Sequence, residues 1–158
     1  MYSMHSLILD FNSQIRELGK ITNDKISENL IFVGLGDSYV AGLMVEYITG
    51  HKCVCYSASY LLNLRFNDHK TYCFITVTGR TKANIHVAQL AIRSGVNTIA
   101  VTVNRDSKLA QTCKEIVGWT SKEQHPAISS FNIFTVSVVA CLQIAGIVVP
   151  QKFDVLYN

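Results

Sequence analysis

Short apolar runs alternate with stretches of helical spacing along most of the chain. Leu30–Val33, Cys53–Tyr56, Tyr72–Val77 and Thr98–Val103 are continuous runs rich in β-branched and aromatic residues, each 4 to 6 residues long. Runs that are apolar throughout rather than alternating are how strands buried on both faces of a parallel sheet read. Glu115–Val117 is a weaker fifth candidate. Between the runs, Asp37–Ile48 places Val40, Leu43, Met44, Tyr47 and Ile48 on one side of a helix. Lys82–Arg93 does the same with Ile85, Val87, Ala88, Ala91 and Ile92, and Ser94-Gly95 stops it. Asp106–Lys114 is a shorter helix with Asp106 or Ser107 as its N-cap. Strand and helix in repeated alternation predict an α/β, doubly wound, three-layer domain.

The two ends of the chain read as helices as well. Leu7, Ile8, Phe11, Ile15 and Leu18 have helical spacing within residues 3–19, and Gly19 ends the pattern. Near the other end, Phe131 to Val149 is 19 residues without a charge. That length approaches a membrane span. However, Asn132, Thr135, Ser137, Gln143 and Gly146 interrupt it, and no basic anchors flank its start. It is expected instead to be a helix buried all round, between its own sheet and a second subunit. The organisation expected is an N-terminal helical segment over 1–29, a single domain over 30–149 and a tail over 150–158. A polar stretch, Trp119–His125, precedes Pro126.

Composition sharpens this picture at one point. The 158 residues are 49% hydrophobic and only 16% charged, against roughly 25% charged in an average soluble domain. Disorder and low-complexity architectures are excluded. A surface so short of charge suggests a partner subunit as cover, a homodimer or homotetramer. The net charge of +3 comes with no block of like charge, so no nucleic-acid partner is expected. Five cysteines stand at 53, 55, 73, 113 and 141, with no CxxC among them. They read as buried free thiols in a reducing cytoplasm, and no metal or cofactor is expected. Met1 to Asp10 has neither the basic region nor the apolar run of a signal peptide.

In an open parallel sheet, ligands bind beyond the carboxyl ends of the strands, in the turns that lead into helices. Two turns have chemistry suited to this. The first, Val33-Gly34-Leu35-Gly36-Asp37-Ser38, opens the helix to Ile48 with two glycines and a hydroxyl. The second, Thr76-Val77-Thr78-Gly79-Arg80-Thr81, gathers three hydroxyls, a glycine and an arginine at the next helix start. Free N–H groups at a helix start attract anions, and hydroxyls and a guanidinium add donors, so the second turn suits a phosphate. Neither is a Walker loop, since no GxxxxGK[ST] string occurs. A dinucleotide site is not expected either: Tyr39 stands where a third small residue is needed, and the strand ending at Tyr56-Ser57 carries no acid for a ribose.

These two turns, followed by the run from Ala88 through Leu109, resemble the sugar isomerase (SIS) domain family over roughly residues 30 to 146. In loop pattern the chain is nearest to hexulose-phosphate isomerase-like members and to the isomerase domain of glucosamine-fructose-6-phosphate synthase. Family members usually show Ser-x-Ser-Gly-Glu-Thr at the second turn. Here Thr76 and Thr78 keep both hydroxyls, and Arg80 replaces the acid, as in some members. Thr102 and Ser107 match the family's later apolar-Thr pair and loop serine.

The resemblance implies a five-stranded parallel sheet in flavodoxin-like order and a phosphorylated sugar as ligand. It places Thr76, Thr78, Gly79 and Thr81 on the phosphate, with Val77 and Arg80 in the same turn. Gly36, Asp37 and Ser38 fall near the phosphate or the sugar hydroxyls. Aldose–ketose isomerisation also needs a base that moves a proton between adjacent carbons. In the stretch before the last helix the candidates are Glu123, the one carboxylate of that region, and His125, on which the family's acid falls in one alignment. His86, on the helix after the second turn, reads as a packing or interface residue. A sensor or regulatory subunit that binds the sugar phosphate without turning it over is the alternative.

Overall fold

Phe32 and Phe74 have no exposed surface, and the sheet is built around them. A computed structural model describes residues 29–118 and 129–149. The expected N-terminal helix, the polar stretch Trp119–His125, Glu123, His125 and the C-terminal tail lie outside the described residues. In chain order the elements are β1 (Leu30–Gly34), α1 (Asp37–Ile48), β2 (Val54–Ser57), α2 (Ala58–Leu61) and β3 (Thr71–Ile75). They continue with α3 (Lys82–Arg93), β4 (Asn97–Thr102), α4 (Lys108–Thr112), β5 (Glu115–Gly118) and α5 (Ser129–Ile144). The weak fifth strand is therefore present, while α2, a single turn capped by Ser57, was not legible in the periodicity.

The five strands form one sheet in the order β2-β1-β3-β4-β5, and every pairing is parallel. In-register residues such as Cys55, Phe32 and Cys73 line up across β2, β1 and β3. Because successive side chains leave a strand on opposite faces, each strand feeds two cores. Leu30, Phe32, Cys55, Cys73, Ile75 and Val101 pack with α1 and α5. Ile31, Val33, Tyr72, Phe74 and Ala100 pack with α2, α3 and α4. The result is the three-layer doubly wound arrangement expected from the alternation of runs. Within it the order reverses between β1 and β3, which makes their carboxyl ends the switch point.

Two helices sit differently from their periodicity. The side of α1 that carries Val40, Met44, Tyr47 and Ile48 faces outward, and Tyr47 is 72% exposed. Ala41, Gly42 and Val45 face the sheet instead. The reason is space. A Cβ on Gly42 would lie 2.5 Å from Cys55 Sγ and 3.1 Å from Phe32 Cβ. The helix is packed so closely on the sheet at Gly42 that no side chain fits at that position. The second case is the uncharged terminal helix, which ends at Ile144, so that Ala145–Val149 lie beyond it. Val136, Val139, Ala140, Cys141 and Ile144 are already buried within the single chain, in the cluster that holds α1 and the sheet. Among the described residues, no helix is long and apolar enough to cross a membrane.

All five cysteines are free thiols, and Cys53, Cys55, Cys73 and Cys141 are buried. Burial raises every one, because a thiolate loses its hydration in the core. Cys55 and Cys113 are each pushed up to about 12. They are packing residues held neutral.

Candidate functional site

The two glycine-bearing turns leave the carboxyl ends of neighbouring strands, β1 and β3, at the switch point. Each leads directly into a long helix, α1 or α3. Those helices share a feature that sets them apart. Ser57 caps α2 by accepting from Tyr60 N at 3.2 Å, and Ser107 caps α4 by accepting from Ala110 N at 3.2 Å. By contrast, the N-caps of α1 and α3, Gly36 and Thr81, accept no side-chain cap hydrogen bond. The first N–H groups of these two helices are left for another partner.

In the first turn, Gly36 has φ 57° and ψ −132°, a conformation that L side chains rarely adopt. Its carbonyl accepts from Tyr39 N at 3.0 Å and Val40 N at 3.1 Å, which starts α1. Gly36 and Asp37 are exposed and Ser38 is half-buried. The carboxylate of Asp37 gives this turn a negative charge. It therefore suits sugar hydroxyls, which donate as well as accept, better than a phosphate.

The second turn has no acid in the opening turn of its helix, and Arg80 and Lys82 flank the start. β3 ends at Ile75, so Thr76 and Val77 belong to the turn rather than the strand. Thr76 is 4% exposed, and its hydroxyl lies 3.2 Å from that of Thr81. Thr78 is exposed and accepts from Arg80 N at 3.3 Å, which leaves its own hydroxyl proton free to donate. Arg80 is exposed, and Val77 and Thr81 are half-buried.

Gly79 is buried with φ 66°. A Cβ there would overlap Ser107 Oγ and Cβ, so no other residue fits. The turn thus presents Thr78 and Arg80 outward on a base made of Thr76 and Gly79, with Thr81 half-buried beside Thr76.

Four more residues complete this base. Asn84, 1% exposed, donates from Nδ2 to Ile75 O at 2.9 Å and ties the first turn of α3 to the end of β3. Thr102 Oγ1 donates to Val77 O at 2.9 Å. Leu109 N donates to Gly79 O at 3.2 Å, and Ser107 packs against Gly79. Sequence reasoning placed Thr102 by resemblance alone, Ser107 both by resemblance and as an N-cap, and missed Asn84. The available signal was a polar residue on the apolar face of Ile85, Val87, Ala88 and Ala91. His86 is exposed on α3 and packs against no core. Glu123 and His125, the candidate bases, are not among the described residues.

No family model matches the sequence, and no curated protein matches it. Solved structures do match. One is the Vibrio vulnificus NanR protein complexed with ManNAc-6P, at TM-score 0.71 and 16% identity, with 89% of this chain and 60% of that one covered. Another is E. coli CFT073 c3406 in complex with a sugar phosphate, at TM-score 0.67 and 17% identity, covering 90% of this chain and 85% of that one. The third is the sugar isomerase domain of an RpiR transcription factor from Sphaerobacter thermophilus. It matches at TM-score 0.59 and 17% identity, with 87% of this chain and 88% of that one covered.

The fold is that of a sugar isomerase domain.

The chain spans 60% of the NanR chain it matches, so it corresponds to a part of that protein. Within the sugar isomerase domain fold, the sheet order and the two turns stand where the sequence expectation put them.

Proposed function

We propose that this sugar isomerase domain binds a phosphorylated sugar across its two switch-point turns and interconverts the aldose and ketose forms. The observation that carries the reading is the pair of helices, α1 and α3, that start without side-chain caps at adjacent strand ends. The second turn supplies phosphate donors from Thr78, Thr81, Arg80 and the α3 N-terminus. The first, with Asp37 and Ser38, suits the sugar hydroxyls. Two structurally similar proteins were solved with sugar phosphates, in the NanR case ManNAc-6P, which supports the ligand class.

Isomerisation would proceed by removal of the proton on the carbon beside the carbonyl and its return to the neighbouring carbon. A hydroxyl proton moves in the same direction, from the hydroxyl on the deprotonated carbon to the original carbonyl oxygen, through an enediol. Glu123 or His125 would be the base, because they lie in the polar stretch just before α5. A homodimer or homotetramer fits the outward stripe of Val40, Met44, Tyr47 and Ile48, which a second copy of the chain would cover.

A second reading is a sugar-phosphate sensor without turnover. It is favoured because, among the described residues, Asp37 is the one carboxylate in the two turns. One of the similar structures is also from a transcription factor. Incubating the protein with hexose, hexulose and pentulose phosphates separates the readings. Interconversion that disappears in Glu123→Gln or His125→Ala supports the isomerase. A raised melting temperature with no turnover of any sugar supports the sensor.

A further inference from the structure

Val77 and Gly79 both turn their carbonyls toward buried neighbours, Val77 toward the end of β4 and Gly79 toward α4. Val77 O accepts from Thr102 Oγ1 at 2.9 Å, and Gly79 O accepts from Leu109 N at 3.2 Å. The described chain contains no cis peptide. In a trans, planar peptide the carbonyl and the following N–H point in opposite directions. Anchoring Val77 O inward therefore turns the Thr78 N–H outward, and anchoring Gly79 O does the same for Arg80. The Arg80 N–H is taken by Thr78 Oγ1 at 3.3 Å, whereas the Thr78 N–H has no acceptor among the described residues.

Thr102 is itself held. It has no exposed surface, ends β4, and accepts from Asn104 N at 3.2 Å. Its hydroxyl thus has a single proton, and Val77 O receives it.

We infer that Thr102, on β4, is a positioning residue that aims the Thr78 backbone N–H at the ligand's anionic group. This rests on the reading of the second turn as a phosphate site and assigns its orientation to a neighbouring strand. Thr102 itself does not touch the ligand. It fixes one peptide plane, and that plane delivers the donor.

The test titrates inorganic phosphate and fructose 6-phosphate into ¹⁵N-labelled wild type, Thr102→Val and Thr102→Ser well below their melting temperatures. The wild type is expected to bind with a large shift at the Thr78 amide. Thr102→Val, which lacks the hydroxyl proton, is expected to bind about tenfold more weakly with that shift diminished. Thr102→Ser is expected to restore both to within about threefold. A merely structural role would lower thermal stability without removing the amide shift.

Binding by wild type with the Thr78 amide unmoved overturns the inference, and this holds even where Thr102→Val does not fold. Equal affinity in wild type and Thr102→Val overturns it as well, as does failure of Thr102→Ser to rescue. If wild type binds neither probe at millimolar concentration, the phosphate reading itself falls.

Discussion

Gly79 is the residue on which the second turn depends most. A side chain there would be strained by its φ of 66° and would overlap Ser107. Gly79→Ala is expected to destabilise the protein by about 2–4 kcal/mol, as conformational strain and overpacking add. Chemical denaturation measures this, and Ser107→Gly in the same chain should recover the overpacking part while the strain remains. Thr78 is the opposite case: it is exposed and makes one bond inside the turn, as acceptor from Arg80 N. Thr78→Val should leave stability within about 0.5 kcal/mol of wild type. It should weaken sugar-phosphate binding about tenfold or more, the worth of a hydrogen bond to a charged group. Calorimetric titration beside a melting curve separates the two effects. Unchanged affinity would remove Thr78 from the site.

At the scale of elements, α1 couples the site to the sheet and to the outer surface. Gly42 allows its close approach over Phe32 and Cys55. Gly42→Val should push the helix off the sheet and lower stability by about 2–3 kcal/mol by denaturation. Met44→Lys on the outward stripe should be neutral in a monomer. A shift to smaller species in light scattering would identify the stripe as the face between copies. The strands were legible because runs such as Leu30–Val33 are apolar throughout, which two covered faces require. The orientation of α1 was not. Periodicity ranks bulky residues as core, and it cannot register that a helix lies too close to its sheet to accept them. Likewise Asn84 and Thr102 gain their roles from carbonyls of Ile75 and Val77 that folding brings near. The two glycine turns were legible because their chemistry is local to six-residue strings.

Across the whole molecule, the shortage of charge has two separate causes. α5 is uncharged because it is buried within its own chain, and part of the apolar surplus that remains outside, Val40, Met44, Tyr47 and Ile48, sits on α1. The buried thiols add a pH dependence. Unfolded thiols lose their protons near 9, whereas folded Cys55 and Cys113 hold theirs to about 12. Above pH 9 the unfolded state therefore binds fewer protons, and stability falls as pH rises toward 12. Melting curves from about pH 8 to about pH 11 should show this decline, and Cys55→Ala should flatten part of it. In the proposed function one sugar phosphate occupies both switch-point turns. The most direct test is an amide ¹⁵N–¹H titration of the wild-type protein with hexose and pentose phosphates. The largest shifts are expected to fall together on Gly36–Ser38 and Thr78–Lys82. Shifts confined to other parts of the sheet, or none at millimolar sugar phosphate, would contradict it.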